Sequence, residues 1–254
     1  MVQRNGDVVR FFVGVHHPNK ADRVPLAMVS ANALRKRRSH FPVGEWLMDS
    51  GAFTIVNKHG GYPEGVEQYA EIIRRFAHCG ILLAAVAQDY MCEPFVLAKT
   101  GLTIADHQRL TIERYMDLVL TDHAGVAIMP VLQGYAPEDY VDHVRQYGCL
   151  LEPGMWVGVG SVCKRNARPL SARAVFEAIH AERPDLKLHG FGIKITALHD
   201  ERVRELLYSA DSMAWSYAAR YEGRDGNDIA EAIRYVAKVA TQPIQRVLFR
   251  TVAP

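Results

Sequence analysis

Eight short apolar segments alternate with helical patterns along almost the whole chain, and this alternation limits the folds open to it. The strand-like segments are rich in apolar and β-branched residues and are bounded by Gly, Pro or polar residues. They run over residues 11–15, 25–30, 45–50, 81–89, 125–134, 155–162, 186–193 and 212–216. Alternation of strand and helix implies parallel strands, and nearly continuous apolar strands imply burial on both faces.

Helical patterns with apolar residues every three or four positions fill most of the intervals. They cover residues 65–79, 103–120, 136–148, 171–182, 200–210 and 226–241, with Ser171 and Asp200 as helix caps. Eight such units in 254 residues predict an α/β fold, a (β/α)8 TIM-type barrel, as a single domain over 1–254. A Rossmann-like sheet is the alternative. The sequence has no G-x-G-x-x-G after the first strand and no Walker A motif, which weakens the nucleotide-binding versions of that alternative.

Composition and cysteine spacing narrow the class of protein further. A hydrophobic content of 49% with 23% charged residues is typical of a packed globular protein. The longest apolar runs, such as 80–87, are too short for a membrane helix, and the N-terminus lacks the apolar region of a signal peptide, so we expect a cytoplasmic protein. Four cysteines lie far apart with no C-x-x-C pair, which predicts neither a disulfide framework nor a zinc ribbon.

Positive charge is concentrated in two clusters, although the net charge is only +2. They are "RKRRSH" at 35–40 and "CKRNAR" at 163–168, and each follows a predicted strand. A solvated loop or helix end would explain either cluster taken alone. Together they permit binding to a polyanion such as nucleic acid.

Polar residues end most of the predicted strands, where a barrel of this kind builds its active site. Asp49, Asp89 and Asp211 stand at three different strand ends, and each alone could be a turn residue. The other strand-end candidates are His16, Ser50, Gln133, Gly134, Gly158, Gly160 and His189. Carboxylates that share a pocket have their pKa values pushed apart, so that one acts as nucleophile while another handles a proton. Glycosyl transfer with retention needs this arrangement.

The order of these motifs resembles the tRNA-guanine transglycosylase superfamily. The motifs are "DSGAF" at 49–53, "QDYMCEP" at 88–94, "VLQGY" at 131–135, "GVGSV" at 158–162, "HGFGI" at 189–193 and "ADSMAWS" at 210–216. With "FFVGVHHPNKA" near the start, the chain looks most similar to the DpdA-type deazapurine DNA modification proteins of phages and bacteria. The resemblance implies a (β/α)8 barrel that exchanges guanine in DNA for a 7-deazaguanine base, preQ0 or a relative.

The resemblance also implies roles for individual residues. Asp211 matches the nucleophile that attacks the sugar C1′ and forms a covalent intermediate, and Asp49 matches the acid that transfers protons to and from the bases. Asp89 matches the acid that reads the amino and ring N–H groups of the purine. Gln133 and Gly134 match a pair at its carbonyl edge, while 158–161 bring backbone close to the base. We expect Gly51 and Ala52 to leave room for that base.

Two departures from the tRNA enzymes bear on the substrate and the cofactor. No cysteine follows Cys163, so the C-x-C-x-x-C zinc site of the bacterial and eukaryotic enzymes is missing and no zinc or other cofactor is expected. The chain ends about 40 residues after Asp211, without the RNA-binding domains of the archaeal enzymes, which favours DNA. A reduced tRNA-guanine transglycosylase and a barrel glycoside hydrolase are the alternatives.

Binding to DNA adds two expectations. A base in a duplex must be flipped out before its glycosidic bond is accessible, and Phe53, Tyr90 and Tyr135 are candidates to stack on it. Lys164, Arg165, Arg168, Lys36 and Arg37 are candidates to grip phosphates. The expected partners are DNA, with tRNA as the alternative, and the free 7-deazaguanine base as co-substrate. No membrane is expected, and a homodimer or phage partner proteins stay open; a phage-encoded protein would work in the host cytoplasm.

Overall fold

A computed structural model describes residues 9–163 and 169–241 of the chain. In this part, nine strands alternate with helices. The strands are β1 (Arg10–Gly14), β2 (Leu26–Ser30), β3 (Glu45–Asp49), β4 (Ile81–Val86), β5 (Ile128–Met129), β6 (Val131–Leu132), β7 (Trp156–Val159), β8 (Lys187–Gly190) and β9 (Leu207–Ser212). The helices are α1 (Ala31–Leu34), α2 (Ala52–His59), α3 (Val66–Phe76), α4 (Pro94–Thr100), α5 (Ile104–Leu120), α6 (Pro137–Tyr147), α7 (Pro169–Glu182), α8 (Glu201–Leu206), α9 (Ala214–Tyr221) and α10 (Ile229–Thr241).

All strand pairs are parallel, and the sheet forms a nearly closed barrel. The order is β5-β4-β3-β2-β1-β9-β8-β7-β6. Its two ends, β5 and β6, are consecutive pieces of one strand that Pro130 interrupts, because proline has no N–H for the ladder. The carbonyl of Pro130 still accepts a hydrogen bond from Gly158 N–H at 2.8 Å. The nine strands therefore occupy eight positions, which confirms the predicted (β/α)8 barrel.

Alternate residues of each strand pack into two different parts of the core, one inside the barrel and one between the strands and the helices. Phe12, Met28, Leu47, Val86 and Met129 belong to one buried cluster contributed by neighbouring strands. The intervening residues pack with the helices in two larger clusters. This alternation follows from the period of two in a strand. It fixes which side chains can point into the barrel.

The eighth predicted strand is wrong in its position. The sequence predicted a helix through 210 and a strand at 212–216, whereas β9 covers Leu207–Ser212 and α9 begins at Ala214. Short apolar runs do not distinguish a strand from a helix turn by periodicity. Asp211 lies in β9, beside the strand's end.

Of the two predicted helix caps, one is confirmed and the other is wrong. Asp200 caps α8, since its Oδ1 accepts hydrogen bonds from the N–H groups of Arg202 at 2.8 Å and Val203 at 3.3 Å. The predicted cap at Ser171 is wrong, because α7 already begins at Pro169. Proline is favoured at the first helical position, where its missing N–H costs nothing.

Cys79 and Cys92 are buried free thiols, and Cys149 is an exposed free thiol. None of the helices in the described ranges has the length and apolar character needed to cross a membrane.

Candidate active site

A cavity of about 450 Å³ opens at the carboxyl ends of the barrel strands. Seven of the predicted site residues lie on its wall: His16, Asp49, Phe53, Asp89, Gln133, Gly160 and Asp211. They come from six strands or the loops that follow them, and the parallel arrangement brings these ends to one edge of the barrel. The structure thus gathers the three predicted carboxylates around a single space.

Asp211 is buried and held from behind. Its Oδ1 accepts a hydrogen bond from Gly192 N–H at 3.0 Å and lies 3.3 Å from His189 Nε2. Oδ2 has no hydrogen-bond donor within the described ranges. The two oxygens of this carboxylate are therefore unequal, with one anchored and the other available on the cavity side.

His189, which contacts Asp211, is itself held by residues inside the barrel. Its ring is fully buried, and Nδ1 lies 2.8 Å from Ser209 Oγ, which accepts a hydrogen bond from Trp156 Nε1 at 2.8 Å. A neutral imidazole donates from one nitrogen and accepts at the other. In the tautomer with its proton on Nε2, His189 donates to the Asp211 carboxylate and accepts at Nδ1 from Ser209.

Asp49 ends β3, on another part of the cavity wall. Burial raises the pKa of Asp49, and the negative charge of Asp211 adds to the rise, against the lowering effect of the nearby Ser30 side chain and Gly51 backbone. The carboxyl of Asp49 therefore holds a proton at higher pH than an ordinary aspartate does.

Gly51 has a conformational reason to be glycine. Its φ is +76°, and a Cβ there would lie 2.2 Å from Asn32 Nδ2. Asn32 Nδ2 also donates a hydrogen bond to Gly51 O at 3.1 Å. Gly51 thus shapes the turn between β3 and α2, while Ala52 lies on the cavity wall.

Asp89 follows β4 and is buried beside Gln133. Burial raises the pKa of Asp89 to about 7, although the hydrogen bond from Gln133 Nε2 opposes the rise and the carboxylates of Asp49 and Glu93 add to it. A carboxyl with this pKa changes its charge near neutrality. In its ionised form, it can accept hydrogen bonds from two adjacent N–H groups of a ligand.

Gln133 is fixed at both its backbone and its side chain. Its N–H donates to His143 Nδ1 at 2.8 Å, and burial lowers the pKa of His143 to about 3, so this histidine stays neutral and can accept. Gln133 Oε1 accepts a hydrogen bond from Ser161 Oγ at 2.7 Å. A Cβ at Gly160 would lie 2.1 Å from Gln133 Nε2, so glycine makes room for this side chain.

Glu93 is a fourth carboxylate on the wall, and the sequence reasoning missed it. It is 4% exposed, and its Oε2 accepts a hydrogen bond from Ser161 Oγ at 2.9 Å. Ser161 Oγ also accepts from Cys92 N–H at 2.9 Å. Its one hydroxyl proton is shared between Glu93 and Gln133. The available signal was the position of Glu93 inside "QDYMCEP", directly before the proline that opens α4.

Four other predicted site residues lie away from the cavity wall. His189 lies behind Asp211, and Ser50 is buried with no hydrogen-bond partner for its hydroxyl among the residues that the structure describes. Gly134 packs against Asp139 and Tyr140 of α6. A Cβ at Gly158 would lie 2.4 Å from the ring of Phe191, which does line the cavity.

His16 and the predicted stacking residues are placed differently from one another. His16 Nε2 lies 2.8 Å from Ser216 Oγ, and burial, followed by the charges of Arg220 and His17, lowers the pKa of His16. Phe53 and Tyr135 are exposed. Tyr90 is buried, with its ring against Tyr62 and His107, so its prediction as a stacking residue is wrong.

The predicted phosphate contacts are described only in the first basic cluster. Lys164, Arg165 and Arg168 lie outside the described residues. Arg37 donates hydrogen bonds to Asn19 Oδ1 at 2.8 Å and to the carbonyls of Ser39 and His40. Lys36 and Arg38 are exposed and form no ion pair within the ranges described. They are the cations of this cluster most available to an outside anion.

Comparison with known proteins decides the family. The sequence model of the family described as DpdA, DeoxyPurine in DNA protein A, matches residues 8–238. The chain belongs to the DpdA family. The match covers every strand of the barrel and all the residues described on the cavity wall. No curated protein matches the chain.

Membership of the DpdA family implies a transglycosylase-type enzyme that acts in the deazapurine modification of DNA. The site agrees with this chemistry, because Asp211 has an available carboxylate oxygen and Asp49 has a raised pKa. The carboxylate of Asp89 lies beside the carboxamide of Gln133. The prediction that no zinc is bound stays a prediction.

Proposed function

We propose that this DpdA protein exchanges guanine in DNA for a 7-deazaguanine base, preQ0 or a relative, through a covalent deoxyribosyl-aspartate intermediate. The observation that carries the proposal is the convergence of Asp49, Asp89 and Asp211 on one cavity at the carboxyl end of the barrel. The family match favours DNA over tRNA as the polynucleotide.

In the first half of the reaction, Asp211 is the nucleophile. Its Oδ2 attacks C1′ of the target deoxyribose, and the bond from C1′ to N9 of guanine breaks. Asp49 supplies the proton that guanine needs as it leaves, which its raised pKa supports. The hydrogen bonds to Oδ1 hold the carboxylate in place while Oδ2 reacts.

In the second half, the incoming base takes the place of guanine. Asp49, now ionised, accepts the N9 proton of the 7-deazaguanine base, and N9 attacks C1′ from the side that guanine left. The bond between C1′ and Asp211 breaks, which returns both carboxyl groups to their starting states. Two inversions at C1′ give net retention.

Recognition of the base falls to Asp89 and Gln133. Guanine and its 7-deaza relatives present a ring N–H beside an amino group, and an ionised carboxylate can accept from both. Gln133 Nε2 has a second hydrogen besides the one directed at Asp89, which can reach the purine carbonyl. This edge is common to both bases, so one site can serve both halves of the exchange.

The test offers the purified protein labelled guanine with duplex DNA, single-stranded DNA or tRNA. We expect the label to enter DNA, and nucleoside mass spectrometry to find the deazaguanine deoxynucleoside when preQ0 is added. Label in tRNA alone would contradict the DNA assignment. Release of free base with no base incorporated would instead indicate a hydrolase.

A further inference from the structure

Two exposed phenylalanines lie side by side at the mouth of the cavity. Phe53 is in the first turn of α2, and Phe95 is in the first turn of α4. Their ring centroids are 6.2 Å apart, and their exposed fractions are 46% and 39%. Phe53 also lies on the cavity wall, so the pair connects that wall with the outer surface.

The exposure of this pair is unusual within the molecule. The chain has nine phenylalanines, and Phe249 lies outside the described residues, which leaves eight. The other six are buried or half-buried. The two exposed ones are neighbours at the cavity mouth rather than scattered over the surface. Grouped exposed apolar side chains are typical of an interaction site.

The helices that carry the pair are suited to a polyanion. Neither α2 nor α4 contains an aspartate or glutamate. Lys58, His59 and Lys99 lie near their carboxyl ends and are exposed. An apolar pair with positive charge on the same two helices matches the chemistry of DNA, which offers apolar base faces between phosphates.

We propose that Phe53 and Phe95 form an apolar wedge that enters the base stack of duplex DNA where the target nucleotide leaves it. This inference rests on the proposed function, because it takes the cavity as the place of the flipped guanine. Apolar side chains inserted between base steps partly unstack a duplex and compensate for the lost base contacts. The partner of the wedge is therefore the base pairs next to the target, while the flipped base lies deeper, beside Asp89.

The wedge predicts a specific defect in handling duplex DNA. Phe95→Ala should lower the ratio of guanine exchange on a duplex to exchange on the same single strand by about tenfold, the scale of one lost aromatic stack. Phe95→Leu, which keeps an apolar side chain, should recover part of the ratio. Leu120→Ala, an 84% exposed position at the end of α5, is the control and should leave the ratio unchanged.

A duplex that is already open at the target should rescue the variant. With an abasic site opposite the target guanine, flipping costs less, so the deficit of Phe95→Ala should shrink. An equal loss on duplex and single strand, or a deficit that persists at the abasic site, would overturn the wedge.

A fluorescence measurement tests the wedge without catalysis. A duplex with 2-aminopurine at the target position should brighten when the wild-type protein binds, and brighten less with saturating Phe95→Ala. Equal brightening with both proteins would overturn the wedge. Absence of exchange on any DNA by the wild-type protein would contradict the proposed function, and the fluorescence result would then decide the wedge separately.

Discussion

The imidazole of His189 lies directly behind the carboxylate of Asp211, with Nε2 3.3 Å from Oδ1. Ser209 and Trp156 hold the far side of the same imidazole. A chain of three hydrogen bonds therefore runs from the barrel interior to the proposed nucleophile. It orients the imidazole of His189 and, together with the N–H of Gly192, anchors Oδ1 of Asp211 while Oδ2 remains available.

Removal of the Ser209 hydroxyl, which links Trp156 to His189 in this series of hydrogen bonds, should slow base exchange. Ser209→Ala leaves Trp156 Nε1 and His189 Nδ1 without their partner, so Asp211 loses part of its orientation. Misplacement of a reacting group by about 1 Å can cost about 10²-fold in rate. We expect kcat to fall by about 10- to 100-fold with the KM for the base little changed, as measured by labelled guanine exchange.

The stability of the same variant provides a comparison. Ser209→Ala should lower the free energy of unfolding by about 1–3 kcal/mol, because buried polar groups lose their partner. Ser50→Ala removes a buried hydroxyl that has no hydrogen-bond partner within the described ranges, so it should not destabilise the protein. If both variants lost the same free energy of unfolding in thermal unfolding, the result would count against a stabilising role for the hydrogen bonds from Trp156 through Ser209 and His189.

Binding of the base should release a proton near neutral pH. An ionised Asp89 accepts from the purine N–H groups, so binding lowers its pKa from about 7. Affinity for guanine should rise as the pH increases through about 7 and level off above it. Calorimetry in buffers of different ionisation enthalpy measures the proton directly. Asp89→Asn should abolish the release, and a pH-independent affinity of the wild-type protein would contradict the role of Asp89.

The same carboxyl should make the empty protein less stable as the pH rises. The pKa of Asp89 is about 7 in the folded state and 3.8 in an unperturbed aspartate, so the folded protein binds the proton more tightly. The free energy of unfolding should therefore fall between about pH 4 and pH 7, by up to about 1.4 kcal/mol per pH unit. Asp89→Asn should flatten this dependence in denaturant titrations, whereas Asp142→Asn on the surface should not.

Gly160 should be intolerant of a side chain for a reason local to the site. A Cβ there would overlap Gln133 Nε2 at 2.1 Å and displace it from Asp89. We expect Gly160→Ala to raise the KM for the base at least tenfold while the protein stays folded, because the displaced atoms belong to a side chain. At Gly44, a Cβ would meet nothing within 4 Å, so Gly44→Ala is the matched control.

Much of the barrel was predictable, because burial on both faces makes each strand a nearly continuous apolar segment that can be recognised between the helical patterns. The segments at 11–15, 25–30 and 45–50 lie within a residue or two of β1, β2 and β3. Polar residues at strand ends then point to one mouth, which located Asp49, Asp89 and Asp211. The short helices α2 and α4 were missed, since eight or fewer residues give too little periodicity to recognise.

The contacts that hold the site residues in place were harder to predict from the sequence. Trp156 and Ser209 are 53 positions apart and are brought together by the pairing of β7, β8 and β9. His143 holds Gln133 from a neighbouring helix, and its lone position in α6 gives no signal of that contact. Such contacts depend on register, which a one-residue slip would change completely.

The most direct test of the proposed chemistry is to trap the intermediate on Asp211. A guanine-containing DNA oligonucleotide would be incubated with the protein without added base, denatured and digested, and the peptides mapped by mass spectrometry. We expect a deoxyribose-linked adduct on the peptide that contains Asp211. Asp211→Asn should lose both the adduct and the exchange, and Asp142→Asn should retain both. An adduct on another residue, or normal guanine exchange by Asp211→Asn, would contradict the proposed chemistry.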